Sequence, residues 1–156
     1  MVRKSLLEPA FEPVDLLVGI TTALRDYRAA YFLNKALDID LKAVDDLPVY
    51  HEKLKHLVRF PLFWFHQKES RTNFYLTANN NGEMLLLSAL RNFNYFLIVK
   101  SDAPHDQFKD IPRLLREVPG IQAAFPIVPE SVKNISYILS DLELHMIDVS
   151  KDDILQ

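Results

Sequence analysis

Apolar positions along this chain change their period several times, and the changes mark the elements. Between residues 21 and 37, Leu24, Tyr27 and Tyr31, with Ala23, Ala30 and Leu37, recur at three-, four- and seven-residue spacing. That is the one-sided stripe of a helix. Arg25, Asp26, Arg28 and Lys35 fall mostly away from it. The spacing predicts a helix to about Leu37, opened by a Thr21 or Thr22 hydroxyl that accepts an orphan backbone N–H. Residues 14–20 read as a short buried strand before it, because Gly19 would cost a helix about 1 kcal/mol relative to alanine.

The middle of the chain has strand character. Residues 54–59 lead into an apolar run at 61–67, then a polar turn, Lys68-Glu69-Ser70-Arg71, and a second run at 72–78. Asn79-Asn80-Asn81-Gly82 follows. Asn-Gly tolerates positive φ at both central turn positions, so a hairpin is expected, with a return strand at 83–87 and a helical turn towards Leu90. Residues 95–100 are β-branched and aromatic, the composition of another strand.

The last third has clear punctuation. Pro112 fits only the first turn of a helix, where its missing N–H costs no bond, so Asp110 is the expected N-cap of a helix to about Glu117. Pro119-Gly120 ends it, since proline cannot continue and glycine takes the left-handed exit. With strands at 95–100 and 121–128 this is one β-α-β step, as in half of a ferredoxin-like unit. A short helix at 130–134 and a strand at 135–139 are expected next. The predicted fold is α+β: a largely antiparallel sheet packed by one long N-terminal helix and one or two short helices, with a C-terminal β-α-β step. Residues 1–13 read as a flexible arm, 14–149 as one domain and 150–156 as a frayed tail.

Composition narrows the function. The 156 residues are 49% apolar and 25% charged, ordinary for one globular domain with a sizeable core. The net charge of −3 lacks the basic balance of a nucleic-acid binder. With no cysteine, disulfides, thiolate catalysis and cysteine-ligated metals are out, and a reducing, cytoplasmic setting is expected. The basic start of the chain lacks an apolar core, so no secretory signal is expected, and no apolar run is long enough for a membrane helix. Three glycines cannot build a Gly-rich phosphate loop.

Candidate chemistry is sparse. His51, His56, His66, His105 and His145 are scattered without ligand spacing and read as rim histidines. His66 follows Trp64 by two, so both share a strand face. Ser70, Ser88 and Ser101 lack a strained nucleophile turn. The acidic pairs Asp38/Asp40, Asp45-Asp46, Asp141/Glu143 and Asp152-Asp153 fall mostly at turns and ends, where aspartate serves backbone hydrogen bonds. No catalytic residue, metal or cofactor is expected. One polar cluster, Arg25, Asp26, Arg28 and Asn34, stands out. Arg25 and Arg28 share a helix face, and Arg28 is suited to hold a carboxylate, either of a ligand or of this chain.

The run Phe60-Pro61-Leu62-Phe63-Trp64-Phe65 is apolar on both strand faces. Proline confines a strand to an edge or a bulge, and an apolar edge is either covered or attracts another chain. Phe60, Phe63, Trp64 and Phe65 are therefore candidate interface residues. The alternatives are a covered core strand and, with Arg59, Lys68 and Arg71 near, a base-stacking platform.

Several segments match a known pattern. Asp26-Tyr27-Arg28 with Leu33-Asn34-Lys35-Ala36-Leu37, then Ser70-Arg71-Thr72-Asn73-Phe74-Tyr75-Leu76, then Leu85-Leu86-Leu87 with Phe93-Asn94-Tyr95-Phe96-Leu97 together resemble the bacterial IPExxxVDY family over roughly residues 14–128. At the naming motif only Pro119 survives; Gly120 stands for the family's glutamate and Phe125 for its aspartate. The resemblance implies a shared fold and carries no activity. The expected function is a non-enzymatic protein-interaction module that self-associates, a homo-oligomer or a partner of another protein, away from membranes and nucleic acid. The alternative is a small anionic-ligand binding protein, or an enzyme, with an Arg-lined pocket.

Overall fold

The computed structural model describes residues 14–51, 53–102 and 108–155, with 152–155 described by backbone alone. The expected arm at 1–13 and His105 lie outside the described residues. The elements in chain order are β1 (Leu16–Thr22), α1 (Asp26–Leu37), β2 (Lys42–His51), β3 (His56–Gln67), β4 (Thr72–Ala78), β5 (Tyr95–Ser101), α2 (Ile111–Arg116), β6 (Ile121–Pro126) and α3 (Ile135–Leu155). The strands form one sheet in the order β2-β3-β4-β5-β1-β6, and every neighbouring pair is antiparallel. The α+β class and the antiparallel sheet are as the sequence predicts. Both β5 and β6 run antiparallel to β1, which lies between them, so the predicted β-α-β step is split around β1.

Strand alternation sends side chains to two covered faces. Val18, Ile20, Phe74, Leu76, Leu97 and Val99 meet Ala29, Ala30 and Leu33 of α1 and Ile111 and Leu115 of α2. Leu17, Leu62, Tyr75, Phe96 and Ile98 meet Ile135, Ile138, Leu139, Leu142 and Met146 of α3. A slip of one residue would swap the two sets, so packing on both sides fixes the register. Double coverage also explains why β4 and β5 read as nearly unbroken apolar runs.

Several expectations need correction. The long helix is the C-terminal α3, of 21 residues; α1 has 12. Residues 135–139, expected as a strand, are the first turns of α3, whose backbone stays helical to Leu155. Ile135, Ile138, Leu139, Leu142 and Met146 follow helical spacing, and that stripe faces the sheet. The β1 strand runs through Thr22, and α1 opens four residues later. The Thr22 hydroxyl does accept the Leu24 N–H, but within the β1–α1 turn, while donating to the Gly120 carbonyl. Tyr27 and Tyr31 are not on the buried stripe of α1; they are exposed, and Ala29, Ala30 and Leu33 face the core.

The asparagine run does not build the expected hairpin. Gly82 takes a positive φ of 91°, yet only a single bridge, Asn80 to Leu85, follows. The buried Asn79 instead binds across a wide loop. Its Oδ1 accepts from Leu87 N–H, and its Nδ2 donates to the carbonyls of Leu90 and Phe93. The chain then reaches β5 through a short 3-10 turn at Ser88–Leu90.

The edge reading of the aromatic strand also fails. β3 is internal, paired with β2 on one side and β4 on the other. Pro61 is tolerated because it sits opposite the register shift between Val44 and Leu47 of β2. The true edge on that side is β2, which carries the bulge, Asp45, Asp46 and Pro48, features that blunt strand addition.

Candidate functional site

One row of the sheet breaks the apolar pattern of its face. On the α3 side, Trp64, Tyr75 and Ile98 lie side by side across β3, β4 and β5. The next row towards the 68–71 turn is His66, Asn73 and Lys100. Here α3 stands off from the strands and leaves a cavity of about 670 Å³. The sheet side supplies Tyr75 and Ile98 along with the polar row. Leu139, Leu142, Met146 and Ile147 of α3 form the opposite wall, and Lys68 and Arg71 stand at the turn.

The polar row is held in place from below. Trp64 Nε1 donates to Asn73 Oδ1 at 3.0 Å. The His66 Nδ1 lies 3.0 Å from the same oxygen. An amide oxygen only accepts, so His66 carries its proton on Nδ1, which leaves Nε2 to accept a hydrogen bond in the neutral ring. Lys100 Nζ pairs with the Glu143 carboxylate of α3 at 2.9 Å and ties helix to sheet. Burial, and then the nearby Glu143 charge, push the Tyr75 phenol up to about 12. Tyr75 therefore stays neutral, and its hydroxyl makes no hydrogen bond among the described residues.

The turn that carries Arg71 is hydrogen-bonded and strained. The Ser70 hydroxyl donates to Gln67 Oε1 at 2.6 Å and meets Thr72 Oγ1 at 2.8 Å; Thr72 in turn meets Ser101 Oγ at 2.6 Å. This hydroxyl chain binds the turn to the end of β5. Arg71 sits at φ 51°, in the left-handed region, where a non-glycine residue costs about 1–2 kcal/mol. Among the described residues, neither Lys68 nor Arg71 forms an ion pair. The lining among the described residues holds Lys68, Arg71 and Lys100 against Asp102 and Glu143, a net positive set in a chain of charge −3.

The residues singled out from sequence fare unevenly. None of Arg25, Asp26, Arg28 and Asn34 lines this cavity. Asn34 is a structural clamp: its Oδ1 accepts from Leu41 N–H at 2.8 Å and its Nδ2 donates to the Leu41 carbonyl at 3.2 Å. Asp26 accepts from Tyr27 N–H, Arg28 lies over the Phe32 ring at 5.9 Å, and Arg25 is exposed ahead of α1. Phe60 and Phe63 are buried, at 2% and 8% exposure, and Trp64 and Phe65 are half-buried against opposite faces. The paired acids Asp141 and Glu143 divide: Glu143 meets Lys100, while burial raises the Asp141 pKa. Lys68 and Arg71 were legible as charges beside the aromatic strand, but their convergence with Lys100 required the register of three strands.

Among the described residues, no cluster of His, Asp and Glu is arranged to hold a metal ion. Nor is any helix there long and apolar enough to cross a membrane. No family model, curated protein or solved structure matches the chain.

Proposed function

We propose that the chain binds a small anionic molecule in the cleft between α3 and the His66–Asn73–Lys100 row. The observation that carries this reading is the pair of exposed cations, Lys68 and Arg71, at the mouth of a cavity of about 670 Å³. Its size falls within the range of roughly 300–1,000 Å³ typical of small-molecule sites. Arg71 can clasp a carboxylate or phosphate with two parallel N–H groups. The hydroxyl chain beneath it lowers the ordering cost of that contact. A cytoplasmic location goes with this reading, supported by the cysteine-free sequence. We also propose kinship with the IPExxxVDY family, supported by the segments quoted above.

Trp64 supplies the test, because it is the sole tryptophan and its indole is bonded to the cavity-lining Asn73. Titration with short carboxylates and inorganic phosphate at low salt should change Trp64 emission saturably. Arg71→Glu should abolish the change while the thermal midpoint holds. Emission that responds to none of these anions, or responds equally in Arg71→Glu, contradicts the proposal.

Self-association is the second reading. It is supported by Tyr50, Leu54 and Leu57, exposed around the β2–β3 turn, and not by residues 60–65, of which Phe60, Leu62 and Phe63 are buried in an internal strand. Light scattering across a concentration series tests it. A dimer that Leu57→Lys converts to monomer supports it, and a monomer at every concentration removes it.

A further inference from the structure

We infer that the anion taken by this cleft is amphipathic: a carboxylate- or phosphate-type head on an apolar body. The inference rests on reading the cleft as an anion site and specifies what else the ligand carries. The two ends of the cavity differ in chemistry. Cationic and polar groups gather at the 68–71 turn, whereas the α3 side is apolar: Ile147 is half-exposed, and the buried Leu139, Leu142 and Met146 border the cleft from the core. Those four positions share one helix face.

The polar groups on the α3 wall are already engaged. Glu143 is paired with Lys100 at 2.9 Å, and the Ser150 hydroxyl donates to the Met146 carbonyl at 2.6 Å. A wholly polar anion, such as a small sugar phosphate, would find partners at one end only and leave the exposed Ile147 wet. An apolar body would cover it. Ile147 is 52% exposed, so apolar surface continues out to solvent at the cavity rim. Met146 is buried at the same wall, and its unbranched thioether adapts to tails of different shape. Tyr75 also lines the cleft, and its neutral hydroxyl is a hydrogen-bond donor.

Calorimetric titration of the full chain with butanoate, octanoate, inorganic phosphate, octyl phosphate and 1-octanol separates the contributions. Each methylene buried should tighten binding by about fourfold at most. Octanoate should therefore bind at least roughly tenfold tighter than butanoate, and octyl phosphate likewise relative to inorganic phosphate. Octanoate should also exceed 1-octanol by roughly tenfold or more, the scale of a charge-assisted hydrogen bond. Whichever of octanoate and octyl phosphate binds tighter identifies the head group. Arg71→Glu should bring octanoate down to the 1-octanol level, and Ile147→Asn should weaken the octyl ligands while sparing butanoate. Equal binding of butanoate and octanoate overturns this inference and leaves the anion site standing. Equal binding of octanoate and 1-octanol, unchanged by Arg71→Glu, overturns the anion site itself.

Discussion

The two faces of the sheet are built from the same strands and solve different problems. The face under α1 and α2 carries a large buried apolar cluster. Two helices cover it, and side chains at its margins are spent on backbone partners: Asn34 on Leu41, Tyr95 Oη on the Leu24 carbonyl at 2.7 Å, and Arg116 on the Ala124 carbonyl at 2.8 Å. The opposite face has one long helix, and at the 68–71 end the row under it turns polar and a cavity opens. Identical backbone and identical alternation thus give a buried core on one side and an open cleft on the other. The difference lies in three side chains of one row and in where a single helix leaves the sheet.

The largest test of this contrast is a pair of truncations. Leu33→Ala, at a fully enclosed position of α1, should cost about 2–5 kcal/mol, because lost burial and an unfilled void add. Ile147→Ala, at the cavity rim, should stay within about 0.5 kcal/mol. Urea unfolding of both variants checks this, and similar losses would mean that the α3 face is as closed as the other.

Next comes alkaline pH, which probes one tyrosine on each face. Burial, followed by the Asp26 charge, pushes Tyr95 up to about 12, as burial and Glu143 do for Tyr75. A raised folded pKa gives stability that is present below the unfolded value near 10 and lost as pH rises through about 12. Each phenol should account for on the order of 2 kcal/mol of that loss. Tyr75→Phe and Tyr95→Phe should each flatten the decline measured by unfolding between pH 9 and 12. At neutral pH Tyr95→Phe should also lose about 1 kcal/mol, since it alone gives up a hydrogen bond.

Two smaller effects separate structure from site. Asn34→Ala should cost about 1–2 kcal/mol by unpairing the Leu41 backbone, and leave anion binding untouched. Arg71→Gly should do the reverse. Glycine takes φ 51° without strain, so thermal stability should hold or rise by up to about 1 kcal/mol while binding disappears. A variant that gains stability and loses its ligand is the expected mark of strain kept for function.

Much of this fold was legible from periodicity and punctuation. Strands β4, β5 and β6, and the Pro112-to-Gly120 helix unit, follow from apolar β-branched and aromatic runs, proline position and the Pro-Gly stop. β2 was not legible, because its bulge at Asp45–Asp46 and its Pro48 break the alternation. α3 was misread because Ile135, Tyr137 and Ile138 suit a strand over five residues; the helical stripe emerges only when Leu142 and Met146 are included. The Asn-Gly signal marked the reversal at Gly82, which takes the positive φ, but not the topology, since the Asn79 side chain binds Leu87 N–H and the carbonyls of Leu90 and Phe93 across a wide loop. For the site, His66 beside Trp64 was the visible trace. Asn73 and Lys100 join them only through strand pairing, which no local pattern encodes.

The most direct measurement is amide chemical-shift mapping of the isotope-labelled chain during titration with octanoate. Shifts should concentrate at His66, Lys68, Arg71, Asn73 and Lys100 and along α3 from Leu139 to Ser150, with α1 silent. Shifts centred on Arg25, Asp26 and Arg28, or scattered over the surface without saturation, would contradict it.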